Sequence, residues 1–122
     1  MVKDFAEYRK ELRSLIASFG KEAPEAIAGF GKLHEGAMIA GSLDAKTKEL
    51  IALGMGITSR CDGCITFHVH EALANGATRQ EIVETIAIGV MMGGGPALMY
   101  SAHAMEALQQ YQESEFSALK AA

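Results

Sequence analysis

The chain has 122 residues, of which 49% are hydrophobic and two are prolines, so we predict a single domain, residues 1–122, with its own core. Eleven basic and 15 acidic residues give a net charge of −4, and no cluster of lysine and arginine is interleaved with aromatic residues, which excludes nucleic acid as an expected partner. The charged N-terminus does not resemble a secretory signal, and the longest uncharged run, 86–101, is interrupted by glycines and a proline. We therefore expect a cytoplasmic protein that does not bind a membrane.

The N-terminal third predicts two helices. Apolar residues recur at helical spacing over residues 3–19, and Gly20 is a predicted helix end. Pro24 suits the first turn of a second helix, which we expect to reach Gly41.

The middle of the chain predicts a third and a fourth helix. Ser42 or Asp44 can cap a helix that ends before the two cysteines. The next helix is predicted to open near Ser59 and to close at Asn75 and Gly76.

The C-terminal third predicts one or two further helices. Thr78 and Glu81 form a capping-box pattern, "GGGP" at 93–96 interrupts the helix, and Pro96 restarts it. No segment alternates with a period of two, so the fold class is all-α, with five or six helices and the CxxC pair at the start of a central helix. The high apolar content also favours a homo-oligomer.

The stretch "SRCDGCITFHVHEALANG", residues 59–76, contains both cysteines and two of the four histidines. On one helix, Cys61, Cys64 and His68 share a stripe, and His70 points to the opposite side. A structural disulfide is disfavoured in a reducing cytoplasm. A zinc site stays open as an alternative, although at most three of these side chains converge and a fourth ligand would have to come from elsewhere. Candidates for that ligand are His34, His103 and Glu49.

A redox centre is the third interpretation of this stretch. Cysteines near the start of a helix meet unsatisfied backbone amides, which stabilise a thiolate. His68 follows Cys64 by one turn, so its imidazole can accept the thiol proton, and Cys64 becomes the better-activated nucleophile.

Glu49 is the candidate that orients His68. If the third and fourth helices form an antiparallel hairpin, position 49 lies level with about position 69, and the carboxylate and the imidazole form a proton relay. The alternatives are that Glu49 is solvated and pairs with Lys46 or Lys48, and that His68 is an ordinary core or surface residue.

The spacing Glu49, Cys61, Cys64, His68, written Glu-x11-Cys-x2-Cys-x3-His, resembles the active-site signature of the alkyl hydroperoxidase D (AhpD-like) proteins of the carboxymuconolactone decarboxylase superfamily. The flanking segments "LDAKTKELIALG" and "HEALANGATRQEIVETIAIGVMMGGGPAL" resemble the family's core, so the likeness covers roughly residues 24–108.

The resemblance implies a helical subunit in a homotrimer or homohexamer that reduces peroxides or disulfides with electrons from a thiol donor, as part of antioxidant defence. It implies that Cys64 attacks the peroxide, that Cys61 resolves the sulfenate, and that His68 and Glu49 relay the proton. No cofactor is expected. The longer members of the family carry a histidine between the cysteines, where this chain has Asp62 and Gly63; the charge of Asp62 is expected to raise the thiol pKa.

Three hypotheses follow from these patterns. The first is a thiol-dependent peroxidase or disulfide oxidoreductase. The second is a zinc-stabilised, non-catalytic helical assembly protein, which chelation would unfold. The third is a decarboxylase of the carboxymuconolactone type, whose activity would not depend on either cysteine.

Overall fold

The computed structural model describes residues 1–116 and confirms the all-helical prediction, with six helices and no strand in that range. The helices are α1 (Phe5–Glu22), α2 (Pro24–Met38), α3 (Ala45–Thr58), α4 (Asp62–Ala74), α5 (Arg79–Gly93) and α6 (Gly95–Ser114). Across these described residues, every helix is too short or too polar to cross a bilayer.

Two of the helix starts are those that the capping residues predict. Asp44, rather than Ser42, caps α3, with its carboxylate accepting a hydrogen bond of 2.8 Å from the backbone N–H of Thr47. Both halves of the capping box form at α5: the Thr78 hydroxyl accepts from the Glu81 N–H, and the Glu81 carboxylate accepts from the Thr78 N–H. Such caps satisfy backbone donors that have no partner within the helix.

Two predicted helix ends are wrong. Gly20 lies inside α1, which continues to Glu22 because the N–H of Ala23 still reaches the carbonyl of Phe19 at 2.9 Å. In the other case, α2 stops at Met38 rather than Gly41.

The early end of α2 has a local cause. The Lys48 ammonium donates hydrogen bonds to the carbonyls of Ala37 and Ile39, at 2.9 and 2.5 Å. These contacts supply donors at the point where a helix leaves its last carbonyls unpaired.

The core lies where α3 packs against α4 and α5, and α6 closes the bundle against the same two helices. The largest fully buried apolar side chains are Phe5, Leu53, Ile57, Ile65, Val69, Leu73, Ile82, Leu108 and Tyr111. Burial of each leucine, isoleucine or phenylalanine contributes roughly 1.5–3 kcal/mol. The pairing of α3 with α4 positions the CxxC segment, because that segment connects the two helices.

The subunit also presents a large exposed apolar surface. Helix α2 contains no buried residue, and Phe30 and Leu33 on it are 66% and 67% exposed. A groove of about 560 Å³ between α3 and α5 is lined mainly by apolar atoms and includes none of the four residues of the CxxC signature. The homotrimer or homohexamer stays a prediction.

Candidate active site

Cys61 lies at the junction of α3 and α4. Its N–H donates to the carbonyl of Gly56 at 2.9 Å, and the N–H of Arg60 donates to the carbonyl of Ile57 at 3.1 Å, which is the Schellman pattern of a helix end. That pattern requires a left-handed residue, and Arg60 supplies it with φ of 58°. This conformation costs a non-glycine residue about 1–2 kcal/mol of conformational free energy, so the surrounding contacts must stabilise the turn.

The fourth helix therefore begins later than the expected start near Ser59. Cys61 is the N-cap of α4, and its Sγ accepts a hydrogen bond of 3.1 Å from the N–H of Cys64. Cys64 is the third residue of the helix, and the two cysteines are joined as a disulfide. After reduction, the same N–H at the helix start would stabilise negative charge on the sulfur of Cys61.

Glu49 and His68 contact each other across the α3–α4 interface. The Nδ1–H of His68 donates to Oε2 of Glu49 at 2.8 Å, and Glu49 is only 6% exposed. The two lysines considered as surface partners of Glu49 bind other groups: Lys46 pairs with Glu81 at 2.8 Å, and Lys48 binds the end of α2. A carboxylate that holds Nδ1–H leaves Nε2 as the basic nitrogen of the ring.

Gly56 allows α3 and α4 to approach closely at the cysteine pair. A Cβ atom at this position would lie 2.9 Å from Cβ of Cys64, a separation that would force the helices apart. Cys64 and His68 are four residues apart on α4, a spacing that places two side chains on the same face of a helix.

Two polar side chains outside the Glu-Cys-Cys-His signature contact Asp62, which lies in the turn of the two cysteines. Nδ1–H of His103 on α6 donates to Oδ1 of Asp62 at 2.7 Å, and Nζ of Lys3 donates to Oδ2 at 3.1 Å. From the sequence, His103 was a possible metal ligand or a residue that approaches the site from a neighbouring helix, and a contact with Lys3 was not predicted. No local signal could have revealed these pairs, because they span 41 and 59 positions.

The remaining histidines lie apart from the cysteines. His70 contacts Glu71 and Glu115, at 3.0 and 2.8 Å, and its ring packs against that of Tyr111 on α6. Burial raises the pKa of Tyr111. His34 is exposed on α2. Within residues 1–116, no three His, Cys, Asp or Glu side chains are grouped so that they could hold a metal ion.

The model of the carboxymuconolactone decarboxylase family matches residues 24–107. An uncharacterised protein of Cupriavidus necator is 36% identical over 105 residues, which cover 86% of this chain and 93% of that protein. A second uncharacterised relative, from Haemophilus influenzae, is 35% identical over 88% of this chain and 95% of its own length.

Two crystal structures extend the likeness to the fold. A carboxymuconolactone decarboxylase family protein from Legionella pneumophila is 44% identical, with a TM-score of 0.83 over 93% of this chain and 96% of its own. A family protein from Thermotoga maritima, for which involvement in an antioxidative response has been suggested, is 32% identical, with a TM-score of 0.70 over 74% of this chain and 93% of its own.

Proposed function

Since the chain belongs to the carboxymuconolactone decarboxylase family, we propose that it is a thiol oxidoreductase of that family, which reduces peroxides or disulfides with the Cys61–Cys64 pair and serves antioxidant defence. The observation that carries the proposal is the hydrogen bond of 2.8 Å between His68 and the buried Glu49, one turn beyond a cysteine pair at a helix start. This arrangement combines an activated thiol, a base and a group that orients the base.

In the reduced protein, Nε2 of His68 accepts the proton of Cys64, and Glu49 stabilises the resulting imidazolium. The Cys64 thiolate attacks the distal oxygen of a hydroperoxide, ROOH, and the O–O bond breaks. Sulfur is oxidised to the sulfenic acid, and the departing alkoxide takes the proton from His68 to leave as the alcohol, ROH.

Cys61 completes the oxidation. Its thiol attacks the sulfenic sulfur of Cys64, the S–S bond forms, and the S–O bond breaks with release of water. The two residues are neighbours on the helix start, with Cα atoms 5.2 Å apart, which is within the range for a disulfide.

A dithiol donor returns the pair to its reduced form. One donor thiolate attacks the disulfide to give a mixed disulfide, the second donor thiol displaces the protein, and both cysteines regain protons. When a donor thiolate attacks Cys64, the leaving sulfur is that of Cys61, whose charge the N–H of Cys64 stabilises. A disulfide substrate enters the same chemistry in reverse, taking two electrons and two protons from the reduced pair.

The other two hypotheses lack such an observation. No group of three metal ligands exists in the described part of the chain. His68 is hydrogen-bonded to Glu49, and His103 is hydrogen-bonded to Asp62. No feature of the site favours decarboxylation over thiol chemistry.

The proposal is tested by turnover of the full chain. Catalytic amounts of protein are mixed with an excess of an alkyl hydroperoxide and of dithiothreitol, and a parallel reaction contains a small disulfide instead of the peroxide. We expect many equivalents of one oxidant to be consumed per subunit, with mass spectra showing the cysteines passing between dithiol and disulfide. Consumption of both oxidants at the rate of the donor alone would contradict the proposal.

A further inference from the structure

The negative charge of Asp62 is unfavourable for the proposed thiol chemistry, and this inference rests on that chemistry. Asp62 stands between the two cysteines in the sequence, in the first turn of α4. A negative charge at this position disfavours a neighbouring thiolate, since like charges raise the pKa of an acid. An unpaired Asp62 would therefore oppose the effect of the helix start and of His68.

The structure gives both oxygens of Asp62 a donor. Oδ1 accepts from Nδ1–H of His103 at 2.7 Å, and Oδ2 accepts from the Lys3 ammonium at 3.1 Å. The Asp62 side chain is 15% exposed, so these donors are not replaced by bulk water. The carboxylate is directed toward α6 and the N-terminal segment, and its charge is paired with an ammonium.

The two donors are themselves fixed by α6. Gln110 donates to the carbonyl of Lys3 at 2.8 Å, and Glu106 accepts from the N–H of Val2 at 2.6 Å. His103, Glu106 and Gln110 are spaced three and four residues apart, so they form one stripe along the helix. This stripe binds the N-terminal segment and presents Lys3 to the cysteine turn.

We propose that Lys3 and His103 are positioning residues that hold and neutralise the Asp62 carboxylate, so that the reduced cysteine pair retains a reactive thiolate. They act through Asp62 and do not touch the peroxide. Asp62 and His68 are the ionisable groups of α4 near the pair, and the exposed Arg60 precedes Cys61. Glu49 of α3 contacts His68, and Lys3 and His103 contact Asp62. Behind these donors, Tyr8 and Glu106 contact Lys3, and Tyr100 contacts His103.

The test is a thiolate titration of the reduced protein, followed by absorbance at pH values across the thiol range. The first variant combines Lys3→Met with His103→Leu, which removes both donors and leaves Asp62 unpaired. We expect the apparent pKa of the pair to rise by about one unit, which lowers the thiolate fraction about tenfold at any pH well below both pKa values.

Two further variants separate this role from a merely structural one. In the Asp62→Asn protein, the same two substitutions should change the thiolate fraction less than about twofold, because no charge is left to neutralise. His103→Gln, which keeps a donor for Asp62, should remain close to the parent protein. Circular dichroism of each variant identifies any loss of fold. If the double variant is unfolded, the titration of His103→Leu is compared with that of His103→Gln instead, and only His103→Leu should show a raised thiol pKa.

An unchanged titration in the Lys3→Met, His103→Leu protein would overturn the proposal. A shift of equal size in the Asp62→Asn protein would also overturn it, because the two donors would then act without Asp62. The titration needs no peroxide, so the two proposals can fail separately. If the parent protein consumes peroxide but the variant shows no shift in the thiol pKa, only this inference is wrong. If the thiol pKa shifts but the parent protein does not turn over, only the proposed function is wrong.

Discussion

Replacing Cys64 with serine is expected to lower the rate of peroxide reduction by roughly a thousandfold or more. A serine hydroxyl is not ionised at neutral pH and cannot be oxidised to a sulfenic acid, so the attacking atom is lost. The measurement is stopped-flow consumption of an alkyl hydroperoxide by the reduced protein, first without a donor and then with an excess of dithiothreitol.

Cys61→Ser is the matched control, because serine also caps helices well and should preserve the start of α4. This variant should still react with the first equivalent of peroxide and accumulate the sulfenic acid, since only the resolving thiol is missing. If the behaviours of the two variants were exchanged, Cys61 would be the attacking residue. A decarboxylase of the carboxymuconolactone type would keep its activity in both variants.

Replacing Glu49 with glutamine is expected to lower kcat/KM for the peroxide by about a hundredfold, the lower end of the range for acid–base catalysis. Glutamine has nearly the same shape as glutamate, but it carries no charge to stabilise a histidine cation. Its amide can also donate to Nδ1, which would favour the tautomer with the proton on Nε2. His68 would then be unable to accept the proton of Cys64.

The measurement is kcat/KM as a function of pH. The Glu49→Gln protein should recover activity at high pH, where the thiol ionises without help from a base. Glu84→Gln is the control, because Glu84 is an exposed carboxylate on α5 outside the site and its loss should change the rate less than about twofold. Near-equal rates and pH profiles for Glu49→Gln and the parent would remove Glu49 from the mechanism.

Local signals in the sequence were sufficient for much of the fold. The capping residues Asp44 and Thr78 fix the starts of α3 and α5, and they act through contacts only three residues away. The antiparallel arrangement of α3 and α4 follows from the short connection between them, and it led to the expected meeting of Glu49 with His68. That contact spans 19 positions, yet it depends only on helix geometry and one turn.

The start of α4 could not be predicted from the same signals. The Schellman turn needs a left-handed residue, and Arg60 takes that conformation with φ of 58° although arginine carries no preference for it. The expected start near Ser59 was wrong for this reason. The consequence for the site is that Cys61 caps the helix with its sulfur, which the sequence did not specify.

The contacts of Asp62 could not be predicted from the sequence either. The sequence predicted that its charge would raise the thiol pKa, but the two groups that pair with this carboxylate come from the N-terminal segment and from α6. Their approach depends on how the whole bundle packs.

The proposed function requires that His68, Glu49 and the start of α4 favour the thiolate of Cys64 and so lower its pKa. The most direct test is a thiolate titration of the reduced Cys61→Ser protein, in which Cys64 is the single thiol. We expect a pKa below the value of about 8.5 for free cysteine. A pKa at or above that value would contradict the proposed function.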